Sequence, residues 1–352
     1  MKIPGKATMT DQLHSGRGAR RASTKRARAA FISMAALFVA AVVLVAAGCG
    51  SSSSSTTPPT ASTSAATSAT PPPASTTIDG ATITADPTLT ALLPSAVTSA
   101  GKVRVATDIP NPPFEMYPAP GSNQPTGFDY DLSQALGAKL GIPFEFDQIV
   151  FDSIIPSLQA GKADIVMAAM VDNTTREKVL NFIDYAKVTT VLVIAKGNPS
   201  KVTSLQSLAG KAAAAQTGTI QAGMLQTLAT QLKAAGKPAL TVLTYPKDSD
   251  ALLAIKSGKA VADLVQLPTG VADVAAQPNS FEIAKDPAAP NGYNPSTIGI
   301  GMVKANTQLL DAVSKALQAL VADGTYTKLL DKYGLGAAAV TTVDVNLGAG
   351  PK

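Results

Sequence analysis

Reactive side chains are almost missing from this 352-residue chain, which has one cysteine, one histidine and no tryptophan. The histidine is His14 and the cysteine is Cys49, so nothing beyond residue 49 carries an imidazole or a thiol. That removes most nucleophile–base pairs and the usual zinc ligand sets from the larger part of the chain. No G-x-S-x-G is present, and "GTIQAGML" has the glycine spacing of a P-loop without its Lys-Ser/Thr. Charge is also scarce, at 15% of residues, and it is unevenly placed. Of 29 basic and 24 acidic residues, eight basic and one acidic fall in residues 1–30, leaving 21 basic and 23 acidic for the rest. The net charge of +5 therefore belongs to the N-terminal segment. The remainder is slightly acidic, and nucleic acid is not an expected partner.

Residues 29–48 carry no charge, with Ser33 as the sole hydroxyl. The run is long enough to span a bilayer, but a basic segment followed by an apolar one and small residues also describes an export signal. Its end, "VAAGCG", resembles a bacterial lipobox, in which the cysteine thiol is acylated and the cysteine becomes the mature N-terminus. Ala46 departs from that pattern, where leucine is commoner, and a plain membrane anchor is the alternative. Arg20-Arg21 leaves the general and twin-arginine export routes both open. Residues 1–48 are accordingly expected to be a lipoprotein signal peptide, with palmitate on Cys49 and anchoring to the outer face of the cell membrane. From Ser51 to Thr77 the chain is uncharged Ser, Thr, Ala and Pro, a composition with little apolar surface to bury. Residues 49–99 read as a tether and a transition, the stretch 78–100 being unassigned.

Alternating patterns begin near Gly101. "KVRVATD", "PFEFDQIV" and "ADIVMAAM" read as strands, separated by the helices "GFDYDLSQALGAKLG" and "FDSIIPSLQAG". A second set follows, with "KAAAAQ", "ALTVLTY" and "AVADLVQL" as strands around the helices "TIQAGMLQTLATQLKAAG" and "KDSDALLAIKSG". Such alternation argues for parallel βαβ units. The fold class is α/β: two lobes, joined by crossings near 188–196 and 296–304. A late amphipathic helix with Leu309, Leu310, Val313, Leu317 and Leu320 on one face is expected to return to the first lobe. The boundaries read as 100–191 plus 297–343 for lobe 1 and 192–296 for lobe 2.

In open α/β sheets, ligands gather beyond the carboxyl ends of strands, where helix N-termini present free N–H groups. Three junctions have that placement. Asp108 ends a strand before a loop stiffened by three prolines, and capping a turn would also explain it. Thr174 and Glu177 have capping-box spacing, which predicts a helix starting there with Arg176 in its first turn. A cation is mildly unfavourable there by dipole alone, so a bidentate grip on a carboxylate would account for it. Solvation, or pairing with Asp172 or Glu177, would account for it too. Thr217 and Thr219 open another helix, as anion donors or simply as a cap. Asp129 and Asp131 read as solvated, dipole-stabilising residues. Phe114 is a core residue or a platform for a ligand.

The blocks "GKVRVATD…PPFE", "GFDYDL", "FDSIIPSLQAGKADIVMAAM…NTTREKVLNF", "LVQLPT" and "ADGTYTKLLDKYGL", in that order, resemble the family 3 extracellular solute-binding proteins. These are the polar amino-acid receptors of ABC importers. The resemblance implies a periplasmic-binding-protein-like type II fold, two α/β lobes joined by two hinge strands and closing on the ligand. It places Arg176 on the α-carboxylate, Thr219 beside it from lobe 2, and Asp108 at a polar first-loop position. Asn111 stands where an aromatic commonly stacks, and Met170 lies in the same strand end as Ala169 and Val171, positions often polar in amino-acid binders. Gln266 replaces the acid that pairs with the ligand ammonium, which implies a weaker grip on zwitterions and makes a less cationic or modified ligand a rival to an amino acid. The expected function is a lipid-anchored binding protein delivering an amino acid or related small carboxylate to an ABC permease and its ATPase. It is expected to be a monomer without metal, cofactor or catalytic residues. The alternatives are a ligand sensor working with a separate signalling partner, and an exported dehydratase-like enzyme.

Overall fold

The structure, a computed structural model, describes residues 75–78 and 80–348. The apolar run 29–48, Cys49 and the uncharged tether lie outside the described residues, apart from the last residues of the tether. Everything described belongs to one of the two compact units of the chain, Ala66–Lys352. No described helix is long and apolar enough to cross a membrane.

The chain opens with a hairpin, β1 (Ser75–Ile78) and β2 (Ala81–Thr84), and two short helices, α1 (Pro87–Thr90) and α2 (Ser95–Ala100). Then come β3 (Val103–Thr107), α3 (Phe128–Leu140), β4 (Phe144–Gln148), α4 (Ile154–Gln159) and β5 (Ile165–Val166). A long strand, β6 (Leu180–Ala195), leads into β7 (Ala212–Gln216), α5 (Ile220–Ala234), β8 (Thr241–Tyr245), α6 (Asp248–Lys256), β9 (Ala262–Gln266) and α7 (Leu267–Ala276). The chain returns through β10 (Phe281–Ile283) and β11 (Tyr293–Val303) to α8 (Thr307–Ala322), α9 (Thr325–Lys332) and β12 (Asp344–Val345).

One sheet runs through both lobes in the order β4-β3-β5-β11-β6-β9-β7-β8. Within each lobe the βαβ strands are parallel, β4 and β5 flanking β3, and β9 and β8 flanking β7. The two connecting strands are antiparallel to each other, with Leu180 opposite Val303 and Tyr293 opposite Thr190. From Thr190 onward β6 pairs instead with β9, so a single strand serves both lobes. Its nearly unbroken burial marks a strand covered on both faces.

The main core of lobe 1 joins Val103, Val105, Leu132, Leu136 and Ile165 to Leu309, Val313, Leu317 and Leu320 of α8. The apolar stripe of the late helix is therefore buried in lobe 1, with Leu310 packed at its edge. Lobe 2 has its own clusters on either side of β7 and β9, around Leu225 and Leu264, and around Leu252 and Phe281. Residues 81–100 also fold onto lobe 1, where Ile83, Leu93 and Val97 enter its core. Asp86 caps α1, and the Thr90 hydroxyl donates to Leu140 O.

Two sequence expectations are corrected. The helix expected from Thr174 is only a three-residue 3-10 turn, Arg176–Lys178. Asn173 caps it through Oδ1, accepting from the Thr175 and Arg176 N–H groups, while Glu177 accepts from Gly348 N instead of closing a capping box. Two residues on, Leu180 must enter β6 with its side chain buried, which leaves no length for a helix. Asp129 and Asp131 are not solvated. Asp129 is fully buried and accepts from Tyr185 Oη and Ala169 N, and Asp131 accepts from Lys332 Nζ and Tyr333 Oη. Helix α3 starts at Gly127 (φ 118°), where a Cβ would lie 2.3 Å from Phe114 O; only glycine lets the first loop lie against this helix start.

Candidate functional site

The carboxyl ends of β3, β5, β7 and β9 converge on one cavity between the lobes, with about 500 Å³ of free space including its mouth. Lobe 1 contributes Asp108, Asn111, Glu115, Phe151, Ala168, Ala169, Val171 and Arg176. Lobe 2 contributes Gln216, Thr219, Ile220, Gln221, Asp248 and the run Leu264 to Gln266 with Thr269. Five of the sequence candidates meet here: Asp108, Asn111, Arg176, Thr219 and Gln266. Three do not line the cavity. Phe114 is fully buried in the lobe 1 core, Met170 is fully buried behind β5, and the Thr217 N–H is bonded to Tyr245 O.

Among the described residues, hydrogen bonds tie the two walls of the cleft to each other. Gln216 Nε2 donates to Asp108 Oδ2 (2.5 Å), Lys247 Nζ to Ile109 O (2.8 Å) and Thr269 Oγ1 to Asn111 Oδ1 (2.8 Å). Gln266 Nε2 donates to Ala169 O (2.8 Å) and Arg176 Nη2 to Gly218 O (3.0 Å). The lobes thus meet across the cleft, with its polar walls tied to each other. Ala169, whose C=O accepts from Gln266 and whose N–H donates to Asp129 within lobe 1, holds a left-handed backbone (φ 44°). That conformation is disfavoured for alanine and aims its carbonyl at Gln266.

Arg176 is 8% exposed. Its Nη1 donates to Val171 O (2.6 Å), and its Cζ lies 5.5 Å from the centroid of the Phe151 ring. No ion pair joins it to an acid among the described residues, although both Asp172 and Glu177 are close in sequence. Two of the five guanidinium N–H donors are engaged, and the rest have no acceptor there. Burial pushes its pKa down to about 10, against the pull of Asp172. Burial, with the charges of Asp184 and Glu177, pushes Asp172 itself up to about 8, so at neutral pH it offers little countercharge. A desolvated cation without a partner is costly unless an anion joins it.

The acids of the cavity differ in state. Burial and the Asp129 charge raise Glu115 well above the usual carboxyl range. The Glu115 carboxyl faces that of Asp129, which burial pushes up to about 6, so of the two Glu115 holds a proton more tightly. The Oε2 of Glu115 finds no other partner, which is consistent with a shared proton between two carboxyls. Asp108 is raised by burial, while the Gln216 amide works the other way, and its Oδ1 has no partner. The Gln266 Oε1 is likewise buried and unpartnered. Thr219 spends its hydroxyl on its own helix, donating to Gln216 O and accepting from Ala222 N, so it is a cap that also faces the cavity.

Behind Asp248, on lobe 2, lie Asp263 of β9 and Asp273 of α7. Burial first, then the neighbouring carboxylates, raises Asp263 well above its ordinary range and pushes Asp273 up to about 8. These groups bind protons more tightly folded than unfolded, where carboxyls titrate near 4. Between that value and about 8 the native state holds more protons, so ligand-free stability falls as pH rises. A thermal-melt series from pH 5 to pH 8.5 is expected to show it. Asp263→Asn removes one such group and should raise stability at pH 8 by about 1–2 kcal/mol, a few degrees in Tm. A flat pH profile in the parent chain would contradict this account.

The sequence candidates omitted Glu115, Phe151, Gln216, Gln221, Asp248 and Thr269. Most stand at or just past a strand end, the placement that singled out Asp108. Asp248 opens α6 after β8, and Gln216 is the last residue of β7. Phe151, three residues past β4, begins a segment that reads as wholly amphipathic helix, which hid its ring.

Two α/β lobes, two antiparallel connecting strands and a polar cavity between them define a periplasmic-binding-protein-like type II fold. The chain belongs to the bacterial extracellular solute-binding proteins, family 3, whose family model matches residues 103–336. It is similar to the putative ABC transporter arginine-binding protein 2 of Escherichia coli K12, at 30% identity over 68% of this chain and 93% of that one. Among solved structures it is similar to an ancestral arginine-binding protein bound to arginine, at 33% identity and TM-score 0.60, over 66% of this chain and 98% of that one. It is also similar to AbpA, an amino acid ABC transporter substrate-binding protein of Streptococcus pneumoniae bound to L-arginine. That match has 27% identity and TM-score 0.61, covering 70% of this chain and all of that one. Among the described residues no set of His, Cys, Asp and Glu side chains is arranged to hold a metal ion.

Proposed function

We propose that this protein is the lipid-anchored, extracytoplasmic binding protein of an ABC importer, shutting its lobes around an amino acid or related small carboxylate. The unpaired, buried guanidinium of Arg176 carries the reading. It stands at the cleft wall, flanked by the Phe151 ring and the backbone of Gly218, with donors to spare. A carboxylate fits that fork bidentately and supplies the missing charge. Three similar proteins named for arginine or bound to it support an amino acid as the ligand. The anchor rests on the sequence around Cys49, and partitioning of the full chain into a detergent phase checks it. The ligand is tested by mass spectrometry of what co-purifies with the full chain, followed by calorimetric titration with a panel of amino acids, hydroxy acids and amines. Acids are expected to bind and amines lacking a carboxylate are not. A panel in which amines bind as tightly as their parent amino acids removes the clasp.

A further inference from the structure

The cavity has an acid with no cation paired to it, on lobe 2, where Arg176 stands on lobe 1. Asp248 lies at the start of α6 with its carboxylate at the cavity, and no ion pair to a Lys or Arg reaches it, Asp263 or Asp273 among the described residues. The neighbouring cation, Lys247, is spent on Ile109 O. Asp263 is 0% exposed, and the Leu264 N–H is the one backbone donor that acts on its carboxyl, at poor geometry. The arrangement is satisfied when Asp263 and Asp273 carry protons and donate them to Asp248. Burial raises Asp248 as well, but the two carboxylic acids that donate to it pull the other way, so of the three it is the one that gives up its proton most readily, and it does so at the cavity wall. Independent acceptors face the same space: Asp108, 4% exposed, has Oδ1 unpartnered, and Gln266 has Oε1 unpartnered. A cavity that offers spare acceptors from both lobes and a spare guanidinium matches a molecule that is itself dipolar.

We infer that Asp248 is the lobe 2 group that receives a positive charge of the ligand, an ammonium or a guanidinium, with Asp263 and Asp273 as positioning residues behind it. The inference rests on the reading of the cavity as a carboxylate-binding cleft and names the other end of its ligand. It also reassigns the acid supply: position 266 is a glutamine, whose amide nitrogen is engaged by Ala169 O, so the full negative charge comes from α6 instead of the end of β9. Closure then joins two opposite charges, one on each lobe, through the ligand.

The test is calorimetric titration of the full chain with L-arginine, L-citrulline and the 2-hydroxy acid analogue of arginine. All three carry the carboxylate that Arg176 would hold. Citrulline lacks the side-chain cation and the hydroxy acid lacks the α-ammonium. The wild-type chain is expected to bind arginine at least about tenfold more tightly than one of the two neutralised analogues. Asp248→Asn should collapse that ratio to near one while the neutralised ligand binds as before, and the arm that collapses says which cation Asp248 holds. Asp248→Ser repeats the comparison if the asparagine variant does not fold. For the positioning residues, Asp263→Ala should reduce the ratio and Asp263→Asn, which keeps an N–H for Asp248, should rescue it. Ratios unchanged in both Asp248 variants, with all binding still lost in Arg176→Ala, overturn the Asp248 assignment and leave the clasp standing. Equal wild-type affinity for all three ligands also overturns it. If wild type binds none of the three, both readings fall.

Discussion

Arg176→Ala is expected to weaken binding of every carboxylate ligand by about 30-fold to 3,000-fold, the range set by removing one partner of a buried, hydrogen-bonded charge pair. The loss should be general across amino and hydroxy acids, because the side chain meets the group that they share. Its effect on the ligand-free protein should be small or favourable. The substitution frees Val171 O and Gly218 O, but it also removes a desolvated cation that has no acid beside it. Arg176→Lys keeps the charge and loses the planar fork, so it should recover only part of the affinity. Titration calorimetry beside thermal melts separates the two effects. A variant that binds as wild type does, or one that loses binding only because it unfolds, would contradict the role given to the guanidinium.

How far the sequence disclosed this site depends on what kind of signal each residue gives. Strand–helix alternation and the closing glycines marked the βαβ units, because helical spacing and left-handed C-caps such as Gly141 are local properties. Arg176 stood out because a cation at a helix start needs a reason. The helix itself proved to be a single 3-10 turn, since the capping-box spacing of Thr174 and Glu177 is also local and the burial of Leu180 in β6 overrode it. What stayed hidden is what only the tertiary fold creates. Asp129 looked like a solvated first-turn acid until Tyr185 and Glu115, from distant segments, closed over it. Asp248, Asp263 and Asp273 are spread over 26 positions of chain, and only the packing of α6 and α7 against β9 gathers them at one wall.

Gly218→Ala is the change expected to act most strongly on closure itself. Gly218 lies in lobe 2 with φ 81°, and a Cβ there would stand 2.9 Å from Asp152 Cβ and 3.0 Å from Asp152 Cα, which belong to lobe 1. One of those atoms is backbone and cannot swing aside. An alanine in the left-handed region costs about 1–2 kcal/mol wherever the lobes stand, which lowers overall stability without favouring either form. The collision is different: under the proposed hinge closure the two segments meet only when the cleft is shut. Opening the lobes relieves it, so the closed form alone is penalised and the apparent affinity drops with the closed fraction. A loss of about 10-fold to 100-fold is expected in titrations, with the radius of gyration at moderate ligand staying larger than that of wild type in small-angle scattering. Gly218→Asn separates the causes. Asparagine tolerates the left-handed backbone far better than alanine, yet it brings the same Cβ toward Asp152. If asparagine restores both affinity and compaction, backbone strain was the fault. If it binds as poorly as alanine does, the two lobes need a glycine where they touch.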